Sequence, residues 1–433
     1  MTDNKINQFT KEFINELKKS KPQKNYSLFS LKFNPFPPAG LPRFLSLSPL
    51  DSEVSEKIIH FLRSTYIATK EKEYAGLTIL GDFGMGKTHV MRYIIEQINI
   101  LNKLSLEKRK DIKFSAIACF IDKPEDKPQS VVHNIVEQIG VDNIRKYIGR
   151  IILDRFQENK DSFYNKFKPK QMNLLTKPKT EWKQLFEEPA ASNYLEFLSS
   201  FNELGGDLKL LQEDARNIIK KRVVKDSTLA DRYLDLIFEE KKADSSWDIL
   251  AGYVSNRNIQ RKEVMFLNSI VKILRQVGFR QLYVFVDEFE DVSKLTGAKL
   301  RDYLSTLNTL INQEKRWALV VSLTPEALKK IKLESAPLYD RLTSYKINLS
   351  QLDTNKANLL LINYLNLARD KESNNILPFT KETVREMLKI SKGNYRSFIL
   401  IAHKAIEVAL AKNKESIDKK ILEKARELRY DEE

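Results

Sequence analysis

The sequence predicts an α/β fold: a parallel-sheet core built around a glycine loop, interrupted by a large helical insertion and followed by an all-helical C-terminal module. Three observations carry this. Short apolar runs with the character of buried strands alternate with segments of helical period. One of them, "YAGLTIL" (74–80), stops at a glycine loop that opens a helix. A long stretch, about 124 to 276, then shows helices and polar loops without a clear strand.

In chain order, residues 1–32 read as a helix and a Lys-rich connector. "FNPFPPAGLPRFLSLSPL" (33–50) is broken by prolines that remove donors and fix φ, so it is not helical throughout. A helix follows, capped by Asp51 or Ser52 with acidic residues in its first turn. After the strand at 74–80 and its loop, "THVMRYIIEQINILNKL" is helical and "DIKFSAIACFID" (111–122) is the next buried strand. "LYVFVDEFED" (282–291) and "RWALVVSLTPEAL" (316–328) supply two more strands, and helices are expected at 355–370, 380–391, 395–412 and 417–430. The expected segments are 1–32, a first core part 33–141, an insertion 142–265, a second core part 266–352, and a helical module 353–433.

Composition narrows the class. The chain has 433 residues with 42% hydrophobic and 30% charged residues, which suits a globular protein with a large core. No run approaches the roughly 18 apolar residues of a membrane span, so no membrane partner is expected. The N-terminus is polar and lacks the apolar core of a secretory signal. The lone cysteine, Cys119, lies in "SAIACFI" and reads as a small core residue, which points to a reducing, cytoplasmic setting. A net charge of +15 favours anionic partners, nucleic acid among them. With four His and no paired cysteines, a structural zinc site is not supported.

Two motifs carry chemistry. "GDFGMGKTH" places Gly81, Asp82, Phe83, Gly84, Met85, Gly86, Lys87 and Thr88 in the G-x-x-x-x-G-K-[ST] spacing, with His89 in the first helical turn beyond. Small residues let successive backbone N–H groups curl around a β-phosphate, and the helix N-terminus adds its positive end. Lys87 suits the β- and γ-oxygens, and the Thr88 hydroxyl suits one position on an octahedral Mg²⁺. The second motif ends the strand at 282: Asp287 is expected to hold Mg²⁺ through water and Glu288 to polarise the attacking water. The expected cofactors are therefore ATP and Mg²⁺, and the adjacent acid pair favours hydrolysis over binding alone.

Taken with "SKGNYRSF" (391–398), these motifs resemble the AAA+ ATPases, in the branch near origin-recognition initiators, STAND-type ATPases and transposition ATPases. The resemblance covers about 33–123 and 280–412. It implies that Gly393, Asn394 and Arg396 form a sensor-2 turn on a helical lid, with Arg396 directed at the γ-phosphate. It implies that Thr324, or Ser322, is the polar sensor-1 residue, although a threonine before proline is also a normal helix cap. Arg341 in "APLYDRL" stands where an arginine finger reaches a neighbouring subunit; its other reading is a surface arginine paired with Asp340. Residues 33–45 resemble the linker that passes over the adenine. Implied partners are further copies in a homo-oligomer, or other proteins in a hetero-complex, and DNA bound mainly non-specifically.

The initiators also carry a winged helix after the lid. Here "DKKILEKARELRY" is all that follows before Glu433, and no sequence-specific DNA reader is expected. The functional expectation is a DNA-associated ATPase of a mobile-element or anti-phage system. The alternatives are a nucleotide-gated scaffold with little turnover, and an initiator-like DNA loader. Within the insertion, Lys166, Lys168, Lys170, Lys177, Lys179 and Lys183 are interleaved with Phe163, Tyr164, Phe167 and Trp182. That pattern suits nucleic acid, with aromatics stacking on bases, or a solvated linker whose aromatics anchor it.

Overall fold

The computed structural model describes residues 26–38, 52–67, 74–108, 115–167, 184–185, 194–238, 259–313 and 317–430. It divides into two compact units. One comprises Glu53–Asp82 and Val90–Asn348, and the other comprises the described residues of Met1–Ser52, Phe83–His89 and Leu349–Glu433.

The first unit is built on five strands: β1 (Ala75–Leu80), β2 (Ser115–Ile121), β3 (Phe279–Val286), β4 (Trp317–Leu323) and β5 (Tyr345–Asn348). All pair in parallel in the order β2-β3-β4-β1-β5. Every residue of β1 and β4 is buried, as is β3 from Gln281 onward. Their near-continuous apolar runs, broken only by buried Thr78 and Ser322 in β1 and β4, therefore replace the alternating pattern of a one-sided sheet. Parallel pairing puts the C-terminal ends of β1 and β3 on one edge, with β4 between them. At about 4.8 Å per strand the two ends lie about 10 Å apart. Leu80 is in register with Leu323, and Val286 with Val321.

Among the described residues the insertion is helical and has no core of its own. Ile148, Phe156, Phe201, Ile219 and Tyr233 belong to the same apolar cluster as Val284 and Leu319 of the sheet. The Tyr233 hydroxyl and Ser269 Oγ pair at 2.5 Å inside it, which satisfies a buried phenol. Cys119 is also in this cluster, and burial pushes its thiol up to about 12.

Part of the basic, aromatic stretch is absorbed here. Phe167 is 2% exposed, its ring stacks on Phe163, and both contact Phe156. These two rings serve the core and are not presented to bases, which corrects the stacking expectation for them. Lys166 pairs with Asp214 at 2.5 Å. Lys168, Lys170, Lys177, Lys179, Lys183 and Trp182 lie outside the described residues.

The second unit is helical: α1 (Thr354–Ala368), α2 (Lys381–Ser391), α3 (Tyr395–Ala411) and α4 (Lys419–Tyr430), with a 3₁₀ turn at Tyr26–Phe29. Its separate core takes in the N-terminal linker. Phe36 is fully buried, stacked on Tyr364 with centroids 5.3 Å apart and edge-on to Phe379. Asn34 Nδ2 donates to Glu407 Oε1 and to the His403 carbonyl, and the His403 ring nitrogen meets the Phe36 carbonyl at 2.7 Å. A proline-broken segment is thus held by side chains rather than by a backbone ladder.

Candidate nucleotide site

The glycine loop leaves β1 at Gly81, whose N–H donates to the Leu323 carbonyl at 3.2 Å, so the end of β4 sets its first residue. The long helix Lys87–Lys108 begins at its far end. Gly84 and Gly86 have φ of +74° and +88°, in the region that glycine alone enters without strain. Such left-handed steps turn successive amides to one side, which makes the concavity that suits a phosphate. A side chain at Gly84 is strained by φ, and its Cβ, 2.6 Å from the Asn394 amide, would displace that amide. A Cβ at Gly86 would meet nothing within 4 Å, so the loop is open on that side. Lys87 is buried, with its ammonium 5.3 Å from the centroid of Phe83, an exposed ring. Asp82 is exposed, Met85 is buried, and Thr88 and His89 are half-buried.

"SKGNYRSF" meets this loop within the second unit. Lys392 and Gly393 both have positive φ and end α2. Asn394 then caps α3: its Oδ1 accepts from the Ser397 N–H at 3.0 Å while its Nδ2 donates to the Phe83 carbonyl at 2.6 Å. The Arg396 N–H donates to the Gly84 carbonyl at 3.1 Å, and its guanidinium is on an exposed residue. One turn therefore starts a helix and holds two carbonyls of the loop.

In the first unit, the acid pair follows β3 directly. The Asp287 N–H donates to the Ile121 carbonyl at 2.9 Å, and the residue is 5% exposed. Its Oδ1 accepts from Ser322 Oγ at 2.5 Å and from the Glu288 N–H at 3.0 Å. That same N–H reaches Ser322 Oγ at 2.9 Å. Glu288 is exposed and has φ of +48°, a left-handed conformation that costs a non-glycine residue about 1 kcal/mol. Its own backbone donor is what the serine and aspartate clamp, so the fold maintains the strained turn.

Thr324 caps the helix Pro325–Glu334, its Oγ1 accepting from the Ala327 N–H at 3.2 Å. Ser322, the alternative sensor-1 residue that the resemblance implies, donates to Asp287 instead. Arg341 is half-buried at the end of the helix Ala336–Leu342. Its backbone presses on β1 so tightly that a Cβ at Gly76 would sit 2.0 Å from its carbonyl oxygen. Its charge is felt at Tyr74, where burial raises the phenol and the guanidinium works against that rise.

Sequence reasoning missed Lys123, two residues past β2. It pairs with Asp291 at 2.7 Å, and Lys294 also contacts Asp291. The hydrogen bond and charge of Asp291 raise the Lys123 pKa, with Glu288 adding to them. Burial alone disfavours ionisation of Asp291, but the two lysines together outweigh it and hold its carboxyl below the usual range. Nothing in the spacing marks Lys123, because its partner lies on a segment far along the chain.

Taken each by itself, the glycine loop suits the phosphates of a nucleotide and the acid pair suits a hard divalent cation. Among the described residues no group of three or more His, Cys, Asp or Glu is set to hold a metal alone. Mg²⁺ bound through phosphates and water needs no such cage.

No family model matches the sequence, and no curated protein matches it. Solved structures do resemble it. The ORC1 protein of Aeropyrum pernix in complex with DNA is 11% identical with a TM-score of 0.46, over 90% of this chain and 68% of that one. The ORC2 protein of Aeropyrum pernix, in ADPNP–ADP complexes, is 12% identical with a TM-score of 0.43, over 89% and 70%. CDC6P from Pyrobaculum aerophilum is 12% identical with a TM-score of 0.43, over 93% and 70%. Among the described residues no helix is long and apolar enough to cross a membrane.

Proposed function

We propose that this chain is an ATPase of the AAA+ type that couples Mg²⁺-ATP binding and hydrolysis to assembly with other copies or partner proteins. The observation that carries the reading is the pair of hydrogen bonds from Asn394 and Arg396 to Phe83 and Gly84. A phosphate-binding loop tethered to a helical turn gives occupancy of the loop a mechanical readout.

In this reading the amides of Gly84 to Thr88 and the Lys87 ammonium bind the phosphates, and Thr88 and Asp287 hold the cation. Mg²⁺ supplies charge neutralisation at the β- and γ-oxygens when bound. Glu288 orients and polarises the attacking water, Ser322 holds Asp287 in place, and Thr324 belongs to the same strand end. Arg396 follows the γ-phosphate, and Arg341 acts on a neighbouring subunit. Association with DNA, and service in a mobile-element or anti-phage system, extend the reading on the strength of the sequence resemblance.

The test is steady-state ATP turnover with and without duplex DNA, for wild type, Lys87→Ala, Glu288→Gln and Arg396→Ala. Lys87→Ala is expected to lose nucleotide binding, and Glu288→Gln to bind ATP without turnover. Arg396→Ala is expected to bind but not hydrolyse. ATP-dependent assembly with negligible turnover in the wild type would replace this reading with the nucleotide-gated scaffold.

A further inference from the structure

The first unit carries a cleft of about 470 Å³ at the N-terminal end of β3. Among the described residues it is lined by Arg222, Lys272, Arg275, Gln276, Phe279 and Arg280, with Gly278 between, and none of these is acidic. Three elements converge there. Arg222 ends the helix Leu208–Arg222, Lys272 and Arg275 occupy the last turns of the helix Ile259–Gln276, and Arg280 begins β3. Cations at helix C-termini offset the negative end of the dipole. That accounts for a charge at each helix end, but not for the convergence of both ends on a strand arginine around one cleft. Arg222 is oriented by Glu158 at 3.1 Å, and Glu158 also accepts from Arg155. Lys272 and Arg275 are exposed.

The cleft is about 23 Å along β3 from Val286, so it is distinct from the acid pair. Its lining suits an anionic ligand: Lys272, Arg275 and Arg280 bring positive charge to it, and Arg222, shared with Glu158, adds to that field. Its aromatic ring is engaged: Phe279 sits edge-to-face with Tyr147, centroids 5.4 Å apart. A single strand would call for free aromatic platforms, whereas a duplex backbone calls only for fixed cations. The net charge of +15 supports the same class of partner.

We propose that this cleft binds the phosphate backbone of duplex DNA without reading sequence. The inference rests on the DNA-associated part of the function above and not on ATP binding.

The test uses the full chain and a labelled 30-base-pair duplex, followed by fluorescence anisotropy at a series of salt concentrations. Lys272→Ala/Arg275→Ala removes two phosphate contacts. It is expected to lower the slope of log K against log salt by about 1.8 and to weaken binding by about 60-fold at 0.1 M salt. Lys272→Glu/Arg275→Glu is expected to weaken it further. A fluorescent ATP analogue should bind both variants as it binds wild type, which also reports folding. If the reversal does not fold, the alanine pair carries the test. An unchanged slope would overturn the cleft while leaving DNA association standing, and would turn attention to the lysines at 168–183. No binding by the wild type at 50 mM salt would overturn both. Tighter binding of single-stranded DNA, or competition by pyrophosphate alone with no DNA binding, would also overturn the assignment.

Discussion

Asn394→Ser isolates what the tether to the glycine loop contributes. Asn394 performs two tasks with two atoms: Oδ1 caps α3 through the Ser397 N–H at 3.0 Å, and Nδ2 donates to the Phe83 carbonyl at 2.6 Å. Serine is about as good a cap as asparagine, so stability should change by about 0.5 kcal/mol or less. Its hydroxyl is too short to reach the Phe83 carbonyl while capping, so the tether is lost. A hydrogen bond of this kind contributes about 1 kcal/mol net. If it preorganises the loop, ATP affinity falls by about 5-fold. Asn394→Ala removes both bonds, so it should cost a further 1 kcal/mol or so of stability through the cap while matching serine in affinity. The assays are titration with a fluorescent ATP analogue and thermal unfolding of the same samples. Wild-type affinity in Asn394→Ser would refute the coupling, as would an affinity loss confined to Asn394→Ala.

Three further outcomes follow from the acid pair and its surroundings. Ser322→Ala strips a donor from buried Asp287 and an acceptor from the Glu288 N–H, at about 1–3 kcal/mol; turnover should fall at least about 10-fold with ATP affinity kept, and more than in Thr324→Ala, which loses a cap of about 1 kcal/mol. A larger turnover loss in Thr324→Ala would make that residue the sensor. Glu288→Gly relieves a positive φ that costs about 1–2 kcal/mol but gives the unfolded chain about 0.5–1 kcal/mol more freedom, so unfolding should require about 0.5 kcal/mol more while hydrolysis disappears; a stability loss of about 1 kcal/mol would show that the turn is not strained. Asp291 ionises more readily folded than unfolded, so its contribution is present above its unfolded value near 3.8 and is lost as pH falls through the folded one. Asp291→Asn should therefore lower the Tm near neutral pH, with the gap to wild type closing on acidification; a gap independent of pH would exclude the lysine pairs as the cause.

Much of the fold was legible because its strands are buried on both faces. Leu282–Val286 and Ala318–Leu323 read as strands from their apolar runs alone, and helical periodicity located the helices between them. The fifth strand was harder. Tyr345–Asn348 alternates apolar and polar residues, but over four residues with Ile347 alone fully buried the pattern is too short to mark a strand. The N-terminal linker was recognisable as non-helical from its prolines, but its packing was not. Phe36 finds Tyr364 and Phe379 more than 300 residues away, through contacts that no local pattern encodes.

The glycine loop, the acid pair and the glycine turn before α3 were written in the chain itself, because each depends on residue types at close spacing. Gly84 and Gly86 are needed wherever the backbone must enter the left-handed region, and that need is visible in one dimension. Tertiary structure alone decided the relations between distant segments. It clamped Glu288 to Ser322, gave Lys123 to Asp291, drew Phe163 and Phe167 into the core, and gathered Arg222, Lys272, Arg275 and Arg280 around one cleft. It also decided that Asn394, rather than the Arg396 side chain, holds the loop through a side-chain bond. Hydrogen bonds and ion pairs act over about 3 Å, and only the folded chain brings residues so far apart in sequence within that distance.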